Sequence, residues 1–81
     1  MKMVDEDVIP LSSMPVGSKG VIEQLSGGVG LTRRLMEMGM TPGTQVEVVR
    51  NDMGPIIVRA RGLTIAIGRG MANRILVKKL M

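Results

Sequence analysis

Three methionines at alternate positions, Met36, Met38 and Met40, stand just before a Thr-Pro-Gly turn in the stretch RRLMEMGMTPGTQVEV. Thioether sulfur is a soft ligand suited to Cu(I), so the first chemistry to consider is a metal site. Helix geometry argues against it, because residues two apart diverge by about 200°. Met38 would face away from Met36, and Gly39 ends the helix before Met40. Methionine also fills irregular gaps in apolar cores. The trio is therefore read as packing, with any exposed member free to serve an adaptable partner surface.

The remaining reactive groups are sparse. The chain has neither cysteine nor histidine, which excludes disulfides, thiolate or imidazole ligands and the usual nucleophile or general-base pairs. Glu23, Glu37, Glu47 and Asp52 are separated along the expected architecture and read as solvated surface. Asp5, Glu6 and Asp7 form an acidic triplet that could hold a cation loosely but reads better as a mobile tail. No catalytic residue, metal ligand or cofactor-binding residue is assigned, and no enzyme is expected. The glycine-rich SGGVG lacks the Gly-Lys-Ser/Thr ending of a phosphate-binding loop. GRGMAN lacks the third glycine and the βαβ context of a dinucleotide site. Turn-making accounts for Gly27, Gly28, Gly30, Gly68 and Gly70.

Eleven Lys and Arg against seven Asp and Glu give a net charge of +4, compatible with an acidic protein, a phosphate-bearing partner or a membrane surface. Arg50, Arg59, Arg61, Arg69, Arg74, Lys78 and Lys79 fall mostly on the expected sheet and its ends. A nucleic-acid-binding barrel remains an alternative, but such surfaces stack bases on aromatic rings and this chain has no Phe, Trp or Tyr. No apolar run reaches the roughly 18 residues of a membrane-spanning helix, and the start MKMVDEDVIP does not read as a signal peptide. A cytoplasmic location is expected.

What must position these residues is a single domain, since 81 residues make one small core. Residues 1–10 show no period and read as a flexible lead-in; residues 11–81 form the domain. A helical turn is expected over Leu11–Met14, stopped by Pro15. Lys19–Leu25 reads as a strand with Val21 and Leu25 on one face and Ile22 on the other. In LTRRLMEMG, Leu31, Leu35 and Met38 fall at i, i+4 and i+7 on one helical stripe. Gly39 suits the left-handed residue that closes a Schellman motif, with Met40 packing back on Leu35. Thr41-Pro42-Gly43-Thr44 fits a type II turn.

Past that turn the period becomes two. Val46 and Val48 share a face of QVEVVR, NDMGP connects a hairpin, and Ile56, Val58 and Ala60 oppose Ile57, Arg59 and Arg61. Leu63, Ile65 and Ile67 alternate with Thr64 and Ala66. GRGMANR could form one helical turn, and ILVKKL makes a closing strand. The sum is mainly β: a small, partly open barrel of about five strands with one short helix inserted after the first, because closure hides sheet edges.

These segments resemble the FeoA family of small SH3-like barrels that accompany the bacterial ferrous iron permease FeoB. The resemblance runs from about Leu11 to Leu80. It is carried by LMEMGMTPGTQVEV, similar to the family's L-x-x-[LM]-G-[LM]-x-P-G-x-x-[VI]-x-V. The Gly17 to Gly20 opening, the GPIIV hairpin and the AIGRGMANRILV close add to it. A related domain ends the iron-dependent repressors, where it follows a helix-turn-helix unit for which this chain has no space.

The resemblance implies a cytosolic, non-enzymatic accessory of ferrous iron uptake that contacts the cytoplasmic region of FeoB, its G-protein domain included, and is recruited by it to the inner face of the membrane. It does not bring iron ligands, since ferrous iron prefers imidazole and carboxylate to thioether. The surface expected to meet the partner runs from Gly27 to Glu37 and centres on Val29, Leu31, Arg33, Arg34 and Glu37. A corepressor-like role beside an iron-dependent regulator, and a homo-oligomer joined at a sheet edge, stay open.

Overall fold

Period-two apolar patterning sets up a series of short antiparallel strands, and the computed structural model describes residues 7–80. The elements are β1 (Val8–Pro10), a 3₁₀ turn (Leu11–Ser13), β2 (Lys19–Leu25), α1 (Val29–Glu37), β3 (Gln45–Arg50), β4 (Ile56–Ala60), β5 (Leu63–Ile67), α2 (Arg69–Ala72) and β6 (Ile75–Lys79). They form one six-stranded sheet in the order β1-β6-β2-β3-β4-β5. It curls around a core to which Ile22, Val46, Val48, Ile56, Val58, Ile75 and Val77 contribute from the strands. The mainly β, partly open SH3-like barrel is thus the observed architecture, with six strands rather than five.

The sixth strand is β1, which corrects the lead-in expected over residues 1–10. Val8, Ile9 and Pro10 pair with Lys78, Val77 and Leu76 of β6, and Ile9 packs against the core. Three residues are too few to display a period, and proline is admissible there because β1 is an edge strand with one side free of ladder bonds. Residues 1–6, and with them Asp5 and Glu6 of the acidic triplet, lie outside the described residues.

β2 departs from strict alternation. Its register against β6 shifts between Ile22 and Gln24. The extra residue returns Leu25 to the core side, where it packs half-buried, whereas Ile22 is fully buried. The expected pairing of Leu25 with Val21 on one face is overturned by this bulge, which no periodic pattern announces. β3 carries a second shift, between Val48 and Arg50. On β5 the alternation fades outward: Ile67 is buried while Leu63 is 63% exposed, as expected where an edge strand leaves the core at a hairpin.

α1 closes as the sequence requires. Met40 N–H donates to the Leu35 carbonyl at 3.0 Å and Gly39 N–H to the Met36 carbonyl at 3.0 Å. This pair of bonds is the Schellman motif, with Gly39 at φ 93°. Thr44 N–H then donates to the Thr41 carbonyl at 3.1 Å, closing the turn. Gly43 and Thr44 are stitched to Ile22 of β2 by bonds of 2.7 and 2.9 Å. The helix is therefore clamped at its C-terminus to a central strand.

The β4–β5 hairpin turns on Arg61 and Gly62, at φ 55° and 77°. Positive φ at both positions is the type I′ signature, which favours Asn-Gly. Arginine at the first of them is the one described non-glycine residue with positive φ. A left-handed L-residue costs roughly 1–2 kcal/mol, from which asparagine is partly exempt. Arg61→Asn is accordingly expected to stabilise the fold by about 0.5–1 kcal/mol, read as a higher urea midpoint at unchanged slope.

Candidate partner-docking site

α1 begins at Gly28, whose carbonyl accepts the first helical bond from Thr32 N–H at 3.0 Å. Its inner stripe is as expected: Leu35 is fully buried, and Leu31 and Met38 pack half-buried against the core. The opposite face carries Val29, Arg33, Met36 and Glu37 at i, i+4, i+7 and i+8, the spacing of neighbours on a helix. With Thr32 and Thr41 these residues line a shallow groove of about 510 Å³. Val29 is 75% exposed and Met36 50%. Two apolar side chains thus stand in solvent beside a guanidinium.

Of the five residues expected at the partner surface, the groove brings together Val29, Arg33 and Glu37. Arg34 is exposed on the helix but does not line the groove. Leu31 lies on the core-facing stripe, half-buried against the core, and does not line the groove. Met36, Thr32 and Thr41 were missed. The helical spacing from Val29 could have found Met36, whereas Thr41 joins only because the chain reverses at Gly39.

Arg61 was missed for a similar reason. Its Nη2 donates to the hydroxyls of Thr41 and Thr44, each at 3.4 Å. It thereby reaches the rim of the groove from a turn 20 residues further along the chain. Thr44 is buried, and its hydroxyl lies 2.9 Å from that of Thr41. Neither Arg33, Arg34 nor Arg61 has a carboxylate within ion-pair distance among the described residues.

Three other arginines are occupied by groups of the chain itself. Arg50 Nε donates to Asp52 at 3.2 Å, and that hydrogen bond holds the Asp52 carboxyl below the usual carboxylate range. Arg59 lies 3.5 Å from Glu47 across the β3–β4 ladder. Both pairs are largely exposed and contribute little to stability. Arg69 donates to the Asn51 side chain at 2.6 Å and to the Asp52 carbonyl. Asn51 in turn donates to the Ser12 and Met14 carbonyls at 3.2 and 2.6 Å. This brace ties the 3₁₀ turn, the β3–β4 loop and α2 together, so Arg69 in GRGMAN secures loops.

The methionines of the opening stretch part company. Met40 is wholly buried, Met38 half-buried and Met36 half-exposed at the groove. Among the described residues no three Cys, His, Asp or Glu side chains come together as a metal site, and no helix is long and apolar enough to cross a membrane.

The fold and site define a small SH3-like barrel domain with a shallow groove along the outer face of its helix. The chain belongs to the FeoA domain family, whose model matches residues 9–79. A Methanocaldococcus jannaschii protein provisionally named Fe(2+) transport protein A is 38% identical over 69 residues, covering 85% of this chain and 84% of the relative. The crystal structure of an iron uptake regulatory protein, FeoA, superposes with a TM-score of 0.86 at 43% identity. It covers 90% of this chain and 99% of that one. Zinc-complexed FeoA of Stenotrophomonas maltophilia, described as a prokaryotic SH3 domain protein and a candidate ferrous iron transport activating factor, superposes with a TM-score of 0.72 at 26% identity. That match covers 83% of this chain and 86% of the other.

Proposed function

We propose that this chain is a non-enzymatic cytoplasmic adaptor of ferrous iron uptake. It docks through the α1 groove on the cytoplasmic region of the FeoB permease, G-protein domain included, and modulates the permease's assembly or activity. Family membership supplies the pathway. The observation that carries the docking surface is the solvent-exposed pair Val29 and Met36 beside the unpaired Arg33 on one helix face. A helix face with an apolar anchor and an arginine is a common recognition unit. Iron need not touch the adaptor for it to act, since its effect on transport passes through the partner.

Titrating the protein against the permease's cytoplasmic region, in each nucleotide state, tests the reading by calorimetry. Val29→Asp and Arg33→Glu are each expected to weaken binding by about tenfold or more, the scale of losing one interface anchor. Both positions are exposed, so far-UV circular dichroism should show unchanged folding. Unaltered binding in both variants removes this face from contention. Absence of wild-type binding in every nucleotide state ends the direct-docking reading.

A further inference from the structure

We infer that the α1 groove takes a partner segment in which an aliphatic side chain is flanked by carboxylates, and that Arg61 is one of the residues gripping it. The inference rests on the α1 docking reading and names the chemistry of its occupant.

Charge supplies the first argument. The groove's lining holds one carboxylate, Glu37, against Arg33, and Arg61 reaches the rim at Thr41. Neither arginine has an ion-pair partner among the described residues, and the whole chain carries +4. An acidic segment complements this field, while a basic one would be repelled by it. Between the charges, Val29 and Met36 offer apolar surface. Methionine's flexible thioether adapts to an aliphatic anchor without demanding one shape.

Backbone conformation supplies the second, independent argument. Arg61 is held at φ 55°, in a turn position where asparagine or glycine relieves strain. Its two internal bonds are long, at 3.4 Å, and both use the same Nη2. The weak tether holds the guanidinium beside Thr41, one of the groove's lining residues, while leaving Nε and Nη1 donors free. A planar fork with free donors suits a carboxylate, to which it can bind in bidentate fashion. A strained arginine whose internal bonds are this weak is explained if its work is done on something outside the chain.

The probe is a capped hexapeptide of two leucines flanked on each side by two glutamates, compared with its glutamine analogue. Each is titrated at millimolar concentration into the ¹⁵N-labelled protein. The glutamate peptide should shift the amides of Val29, Arg33, Met36, Thr41 and Arg61, and the glutamine analogue should bind about tenfold more weakly or not at all. Arg61→Asn should lose a similar factor while its urea midpoint rises, and Arg61→Lys should keep part of the affinity. Equal shifts from both peptides, no groove shifts from the glutamate peptide, or full affinity in Arg61→Asn would each overturn the inference. The permease experiment separates the two claims. Docking lost in Val29→Asp but intact in Arg61→Asn refutes the role of Arg61 and leaves the docking face standing. A groove that seats the acidic peptide but not the permease refutes the choice of partner alone.

Discussion

Leu35→Ala is expected to lower the unfolding free energy by about 2–5 kcal/mol, the range for truncating a fully buried leucine. Leu35 is wholly excluded from solvent, and its neighbours cannot simply collapse onto the void. It lies in the last turn of α1, its carbonyl accepts the Schellman bond from Met40, and Met40 is itself fully buried. A domain of this size has a total stability of roughly 4–12 kcal/mol at about 0.05–0.15 kcal/mol per residue. The loss is therefore a large fraction of the whole. Each kcal/mol moves the melting temperature of such a domain by about 4–8 °C.

The probe must be far-UV circular dichroism, because a chain without Trp, Tyr or Phe has no intrinsic aromatic fluorescence. Leu35→Met, which nearly conserves volume, should cost less than about 1.5 kcal/mol. Partner binding should fall with Leu35→Ala as well, since the helix that Leu35 anchors presents Val29 and Arg33 on its outer side. A cost below that of the methionine variant would show that α1 is not held by this side chain.

Gly20→Ala is the second large effect, and it arises from space rather than backbone angles. A Cβ at Gly20 would lie 2.3 Å from Val77 Cγ1, 2.8 Å from the Lys78 carbonyl oxygen and 3.3 Å from Met14 Cε. The methionine tip can swing away. Val77 is β-branched and fully buried, and the Lys78 carbonyl belongs to β6, whose ladder with β2 pairs Gly20 with Lys79. Accommodating one methyl therefore requires the two central strands to separate or the valine to leave its rotamer. Such overpacking costs typically about 1–3 kcal/mol and here should reach at least the top of that range. Gly20→Val should prevent folding to a stable state.

A double-mutant cycle identifies the clash. Val77→Ala removes Cγ1, so Gly20→Ala with Val77→Ala should be less destabilised than the sum of the single changes, by about 0.5–3 kcal/mol of coupling. The rescue will be incomplete, because the Lys78 carbonyl does not move with the side chain. Additive costs would mean that the close approach of β2 and β6 is not what excludes a side chain at position 20.

Much of this architecture was legible in advance because it is local. Period two in QVEVVR and PIIVRAR gave β3 and β4 with Val46, Val48, Ile56 and Val58 inside. The i, i+4, i+7 spacing of Leu31, Leu35 and Met38 fixed the buried stripe of α1. Glycine at 39 and Pro42-Gly43 set the helix stop and the turn. Each of these depends on residues within one turn or one pleat of each other, so a single segment's patterning suffices. The same patterning put Arg33, Arg34 and Glu37 off the buried stripe, whereas Val29 was expected in the glycine loop before the helix and instead begins α1.

Features made by chain segments meeting from afar were not legible. β1 exists because β6 offers an edge to Val8–Pro10, and the bulge in β2 shows only in its pairing with β6, far along the chain. Arg69 reads as a loose basic residue until Asn51 and Ser12 are placed beside it. Leu31 was assigned to two faces at once, and only packing against the core decided between them. Arg61 reaches Thr41 across 20 residues of sequence, so its place at the groove could not be read from its own neighbours. The sequence alone determined most of the elements, the family resemblance and the buried stripe of α1, because hydrophobic periodicity and turn chemistry act over a few residues. Tertiary structure alone decided which edges are paired, where a glycine is obligatory for closeness, and which distant arginine comes beside Thr41, because those depend on how the sheet curls.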